Sequence, residues 1–129
     1  MCEICIKEPG SHSFELLKQD NNVNYYYTCP AKASKYWDTP GILNHYREVL
    51  DSNNHRPWIW VFDGEGFGLK HSLKIDTALG LIRLLKEQYG DSLMEIHIIN
   101  PGIYIKSFYT LIYKFLNNDI IQKIRWFNV

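Results

Sequence analysis

The last third of the chain, residues 93–129, admits few folds. Leu93-Met94-Glu95-Ile96-His97-Ile98-Ile99 is an apolar run of strand length and Asn100-Pro101-Gly102 is a turn. Residues 103–116 keep helical spacing, and after a short loop Ile124-Arg125-Trp126-Phe127 is a second strand. A strand, a crossover helix and a parallel strand form a βαβ unit, which buries one sheet face under its own helix and is right-handed in nearly every case. Pro101 stops the first strand because it has no N–H, and it biases Asn100 toward extended backbone. Along the helix, Lys106, Thr110 and Lys114 recur at every fourth position, with Ser107 beside the first. They make one narrow polar stripe, and the rest of the circumference is apolar or aromatic. A surface helix has the opposite proportions. This one must be covered by a thicker core, a partner chain or an apolar ligand.

The upstream chain supplies the other layers. Residues 12–18 and 23–29 flank Gln19-Asp20-Asn21-Asn22 and predict a hairpin. In the second of these runs, Tyr25, Tyr26 and Tyr27 fall on both faces, as in a half-exposed strand. Residues 30–40 read as a solvated loop with Trp37 packed down on the core. Thr39 is expected to cap a helix with Pro40 in its first turn. Ile42, Leu43, Tyr46, Val49 and Leu50 share one face of that helix. Residues 57–63 predict a central strand with Trp58, Trp60 and Phe62 on one side and Ile59, Val61 and Asp63 on the other. Apolar residues on both sides predict cover on both sides. A helix over residues 73–89, capped by Ser72 and ended by Gly90, completes the set. The expected fold is α/β: a mostly parallel β-sheet with covering helices, one of them strongly hydrophobic. Residues 1–11 read as a flexible N-terminal tail and residues 12–129 as a single domain.

Composition removes several function classes. Fourteen basic residues balance fourteen acidic ones, so no global field favours nucleic acid. No apolar run approaches the roughly 20 residues of a membrane-spanning helix. Residues 1–10 lack the basic start and apolar stretch of a signal peptide. The expectation is a cytoplasmic protein with reduced thiols. Cys2-x-x-Cys5 has the spacing of a metal-binding pair, with His12 and Cys29 available to complete a zinc site. A second close pair is missing and the first stands in a tail, so the three cysteines read as inert thiols and no metal is expected.

Catalytic patterns are absent too. There is no Gly-x-Ser-x-Gly elbow and no His-Glu-x-x-His. Gly64-Glu65-Gly66-Phe67-Gly68 is followed by Leu69 where a dinucleotide fingerprint needs glycine, and no Gly-Lys-Ser/Thr makes it a P-loop. Lys70, His71 and Lys74 stand near a helix start, where an anion could sit, but read as solvated groups. Asp63, Glu65 and His71 are close in sequence at the carboxyl end of a strand, yet nothing in their spacing requires them to meet. Neither an enzyme nor a cofactor is expected.

The residues also carry a resemblance. Leu93 to Pro101, the aromatic-rich helix ending Tyr113-Lys114-Phe115-Leu116, and Ile121-Gln122-Lys123-Ile124 together resemble the CRAL-TRIO lipid-binding domain. Val61-Phe62-Asp63-Gly64-Glu65-Gly66-Phe67 is similar to that family's strand-ending Asp and Gly segment. Gln88-Tyr89-Gly90-Asp91-Ser92-Leu93 is similar to its helix-to-strand junction, with Gly90 where proline is usual. The resemblance covers residues 58–126 and implies a hydrophobic pocket between the sheet and a gate helix. It implies non-enzymatic binding, with transfer or sensing, of a lipid or other hydrophobic small molecule. Tyr104, Phe108, Leu111, Ile112 and Phe115 would then line the gate, over a sheet floor of Trp60, Phe62 and Ile98. A transient membrane contact is a further expectation, and nucleic acid is not.

The chain departs from the family pattern at both ends. It lacks the usual preceding helical segment, and the helix and Leu-Pro…Gly-Gly ending that usually follow the Lys-Ile strand. The alternative is therefore an interaction module, in which helix 103–116 packs on a partner protein or on a second copy and no lipid is held. A STAS-type regulatory domain, similarly layered, ranks third because residues 62–72 show no evident phosphorylatable serine loop.

Overall fold

Asn21 and Asn22 set the first hairpin. Both adopt positive φ, 52° and 66°, as a two-residue type I′ turn demands. The computed structural model describes residues 2–127; Met1 of the expected tail and Asn128 and Val129 of the expected domain lie outside them. In chain order the elements begin with a short helix α1 (Glu3–Lys7), inside the stretch read as a tail. The hairpin strands β1 (Glu15–Asp20) and β2 (Val23–Thr28) follow, then a 3-10 turn at Pro30–Lys32 and α2 (Thr39–Ser52). Next come β3 (Trp58–Asp63), α3 (Leu69–Ser72), and α4 (Ile75–Leu84) continued by a π-type turn at Leu85–Tyr89. The last third contributes β4 (Leu93–Ile99), α5 (Ile103–Ile112) with a 3-10 turn at Tyr113–Phe115, α6 (Asn118–Lys123) and β5 (Ile124–Phe127).

The five strands stand in chain order, β1-β2-β3-β4-β5; the first pair is antiparallel and the rest parallel. This confirms the mostly parallel α/β sheet. β3 is buried on both sides as expected, but helices cover only one of them. Each crossover advances in the same direction, so connections of one hand place their helices on one face. That face carries Trp58, Trp60, Ile96 and Ile98, packed under Tyr46 and Leu50 of α2, Leu81, Leu84, Leu85 and Tyr89 of the α4 segment, and Ile120 of α6. Phe14 completes the core, stacked on Tyr46 with ring centroids 3.8 Å apart.

The opposite face is roofed by its own strands. Tyr25 and Glu95 flank Ile59 in register, and Tyr27 and His97 flank Val61. Their long side chains leave both aliphatic residues buried. The layer is knitted by His97 Nε2 to Glu95 Oε1 (2.8 Å), Arg125 Nε to Glu95 Oε2 (3.4 Å) and Lys18 Nζ over the Tyr25 ring (4.6 Å). His97 is thus a partnered structural residue.

Several local expectations shift. Asp38, not Thr39, caps α2, its Oδ1 accepting from the Gly41 N–H at 3.3 Å. Ser72 closes α3, its hydroxyl donating to Leu69 C=O, and α4 starts after Lys74. Trp37 is 55% exposed rather than packed down. The loop before β5 holds α6, capped by the Asn117 side chain. Asn100 takes a left-handed φ of 49° despite the following proline. Asparagine tolerates that region, and here its Nδ2 donates to Asp63 Oδ1 at 3.0 Å.

Candidate functional site: an apolar chamber under α5

The register brings Trp60 beside Ile96 and Phe62 beside Ile98, and continues with Ile96 beside Ile124 and Ile98 beside Trp126. These six side chains share the helical face and form a floor. One wall comes from α4 and its extension, through Ala78, Leu81, Ile82 and Leu85. The roof is α5, through Ile105, Phe108, Tyr109 and Ile112, and Leu116 and Ile120 close the end. The space between is a cavity of about 120 Å³. Its lining is aliphatic and aromatic throughout, so water inside would find few partners.

A second cavity, of about 90 Å³, shares Phe62, Ala78, Leu81 and Phe108 with the first. Its far wall is different: Ser13, Thr28, Tyr36, His71, Lys74 and Thr77 bring polar groups to it. His71 Nδ1 accepts from the Gly68 N–H at 2.9 Å, which leaves the ring proton on Nε2. Burial, with Lys70 nearby, pushes His71 below the ordinary histidine range and keeps it neutral at neutral pH. Phe67 spans the junction, 5.6 Å from Phe108 and 6.3 Å from Phe62. The second cavity is thus mainly apolar, with a few polar groups gathered at its far wall.

Asp63, at the carboxyl end of β3, ties the loops beside this site together. Tyr27 donates to Oδ2 (2.5 Å), while Asn100 Nδ2 (3.0 Å) and the Glu65 N–H (2.9 Å) donate to Oδ1. Burial alone would raise its pKa. The donors, led by Tyr27, outweigh burial and hold the carboxyl below its usual range. The neighbouring Gly64 passes so close to the β4–α5 turn that a Cβ would lie 2.6 Å from Asn100 O. A depressed carboxyl stabilises the fold at pH values above its unfolded pKa, and that contribution is lost as pH falls through its lower folded value. Asp63→Asn is thus expected to lower the urea midpoint near neutral pH, with the gap to the parent narrowing below about pH 4.

The anion and catalytic candidates are occupied elsewhere. Lys70 Nζ lies over the Tyr36 ring at 5.0 Å, and Lys74 Nζ pairs with Asp76 at 3.3 Å. Asp63 is committed to its three donors, and the Glu65 side chain is exposed. The sheet never reverses order, so it has no switch point at which such groups would line a crevice.

The family model for the CRAL/TRIO domain matches residues 3–129. The chain belongs to the CRAL/TRIO family. A solved structure, "Crystal structure of Sfh5", superposes with a TM-score of 0.73 at 12% identity, over 94% of this chain and 50% of that one. The present chain thus spans about half the length of that protein, and the likeness concerns the fold. A search of curated proteins finds no sequence match. The family as a whole is one of domains that bind small lipophilic ligands. Among the described residues no helix is long and apolar enough to cross a membrane.

Within this CRAL/TRIO domain, the residues expected at the site divide. Trp60, Phe62, Ile98, Phe108 and Ile112 meet in the apolar chamber. Tyr104, Leu111 and Phe115 face outward, 43%, 53% and 43% exposed. Two stripes of α5 are apolar, and the inward one is Ile105-Phe108-Tyr109-Ile112, continued by Leu116. Spacing alone does not rank one stripe above the other. The α4 wall was missed because its residues read as ordinary core, and Ile120 because α6 itself was read as loop.

Proposed function

We propose that this domain binds one small amphipathic lipid, its apolar part beneath α5 and its polar end toward His71 and Thr77. The observation that carries the reading is the wholly apolar chamber that shares Phe62, Ala78, Leu81 and Phe108 with a second, mainly apolar cavity to which His71 and Thr77 bring polar groups. Binding is non-enzymatic, driven by transfer of hydrocarbon at ~0.8 kcal/mol per CH₂. A cavity of about 150 Å³ accommodates a benzene ring, so the present 120 Å³ takes at most a group of about that size. A longer acyl chain requires α5 to swing outward, which makes that helix the gate. Its exposed outer stripe, with Ile103 at 75% and Leu111 at 53%, suits a transient contact with a bilayer surface in the cytoplasm. The same stripe favours the second reading, a dimer or protein interface.

Ala78→Leu tests the pocket without touching the gate. Three added carbons would fill the space shared by the two cavities, and filling a void commonly stabilises a fold. The expected result is at least tenfold weaker capture of a fluorescent fatty-acyl probe with thermal stability unchanged or raised. Unchanged capture would place the ligand elsewhere.

A further inference from the structure

The N-terminal segment closes on the body of the domain through four side chains that the lipid site does not use. Cys2 and Cys5, one turn apart at the start of α1, meet His12 from the approach to β1 and His45 from α2. One ligand atom from each lies within 4.8 Å of all the others. Cys2 Sγ stands 3.5 Å from His12 Nδ1, Cys5 Sγ 3.7 Å from the same nitrogen, and Cys5 Sγ 3.6 Å from His45 Nδ1. A tetrahedral zinc with Zn–S of about 2.3 Å and Zn–N of about 2.05 Å has sulfur-to-nitrogen edges of about 3.6 Å. Three of the six edges among the four atoms have that length, and the other three are no longer than 4.8 Å.

The supports behind the ligands point the same way. His45 Nε2 lies 2.8 Å from the Phe14 carbonyl, which can only accept, so the ring proton sits on Nε2 and the Nδ1 lone pair faces the thiols. His12 Nε2 lies 3.0 Å from Asp38 Oδ2, in a carboxylate–histidine pair whose imidazole is almost wholly buried. Metal-bound histidines characteristically hand their second N–H to a carboxylate or a backbone carbonyl. Both arrangements are present here. Asp38 serves twice, since its other oxygen caps α2. The sequence offered Cys29 as a fourth ligand. The fold instead buries Cys29 against the Glu65 carbonyl, 3.4 Å away, and His45 takes the place.

We propose that Cys2, Cys5, His12 and His45 form a closed Cys₂His₂ site for a divalent metal ion, zinc above all. Two thiolates balance the charge of Zn²⁺, and the two thiol protons leave to solvent on binding. With four protein ligands the site keeps no open position, so its role is structural. It pins α1 and the start of the hairpin to α2. On this proposal Cys2 and Cys5 are ligands rather than the inert thiols expected from sequence.

The test uses the full chain with its native N-terminus and a C-terminal tag. Elemental analysis is expected to find one zinc per chain. Cobalt substitution is expected to give the ligand-field bands of a tetrahedral ion and a thiolate-to-cobalt charge-transfer band. Cys5→Ser and His45→Ala should each weaken zinc binding at least 100-fold and remove the thermal shift that zinc produces, while Cys29→Ser keeps both. Asp38→Asn retains a helix cap and should weaken zinc binding about tenfold, the lower end for a residue supporting a ligand. Substoichiometric zinc in the parent chain, equal retention in Cys5→Ser and Cys29→Ser, or a Cys2–Cys5 disulfide that persists with zinc present would each overturn the proposal.

Discussion

Phe14→Ala lowers the unfolding free energy by about 3–5 kcal/mol, the usual loss for a buried aromatic ring. The ring is 1% exposed and is a centre of the core. It stacks on Tyr46 at 3.8 Å and Tyr26 at 5.4 Å, and meets Trp58 edge-on at 6.2 Å. It thereby packs the hairpin, α2 and the central strand into one aromatic stack. Truncation leaves a cavity among rigid rings that cannot relax into it. Against a total of about 5–15 kcal/mol for a domain, the loss is large, and the melting temperature should fall by more than about 10 °C. Urea and thermal unfolding measure it. A loss under 1 kcal/mol would mean that the aromatic stack does not anchor the hairpin.

Phe108→Asp abolishes lipid capture, and Leu111→Asp preserves it. Phe108 is 9% exposed on the inner stripe of α5 and walls both cavities. A carboxylate there enters an apolar space with no partner, a position costly for a charge. Leu111 is three residues further on and 53% exposed. Exposed substitutions of this kind stay within about 0.5 kcal/mol. Capture of a fluorescent acyl probe is expected to drop more than 100-fold in the first variant and less than twofold in the second. Circular dichroism separates lost binding from lost fold, and Ala78→Leu supplies an independent block. Retained capture in Phe108→Asp would place the ligand away from α5. If Leu111→Asp alone turns a dimer into a monomer, the outer stripe is a protein interface.

The two faces of α5 show how far sequence reached. The unusual feature, a helix apolar around most of its circumference, was visible in the spacing of Lys106, Thr110 and Lys114, and all three are exposed. The choice between its stripes was not, because Tyr104, Leu111 and Phe115 are as apolar as Ile105, Phe108 and Ile112. Only the angle at which the turn after Asn100 launches the helix decides between them. That turn uses a left-handed asparagine held by Asp63, from a strand 37 positions earlier. Such a contact has no local signature.

Chain order in the sheet was hidden in the same way. The apolar residues on both sides of β3 imitate a strand sandwiched between helices. Ile59 and Val61 are instead sheltered by tyrosine, histidine and glutamate side chains from neighbouring strands, which no periodicity within β3 reports. The meeting of Cys2, Cys5, His12 and His45 was hidden for a related reason. Cys2-x-x-Cys5 was legible, but His45 lies 40 positions from Cys5 on a helix whose pattern is fully explained by its apolar face. Where local spacing carried the information, as in the Asn21-Asn22 hairpin, the elements were readable. Where tertiary contacts decided orientation, they were not.

The most direct test of the central claim is native mass spectrometry of the purified chain, followed by organic extraction and lipid analysis. The account predicts a monomer carrying one discrete additional mass that passes into the organic phase, and its disappearance in Phe108→Asp. A dimer with nothing extractable would contradict it, and would assign the apolar surface of α5 to another protein chain.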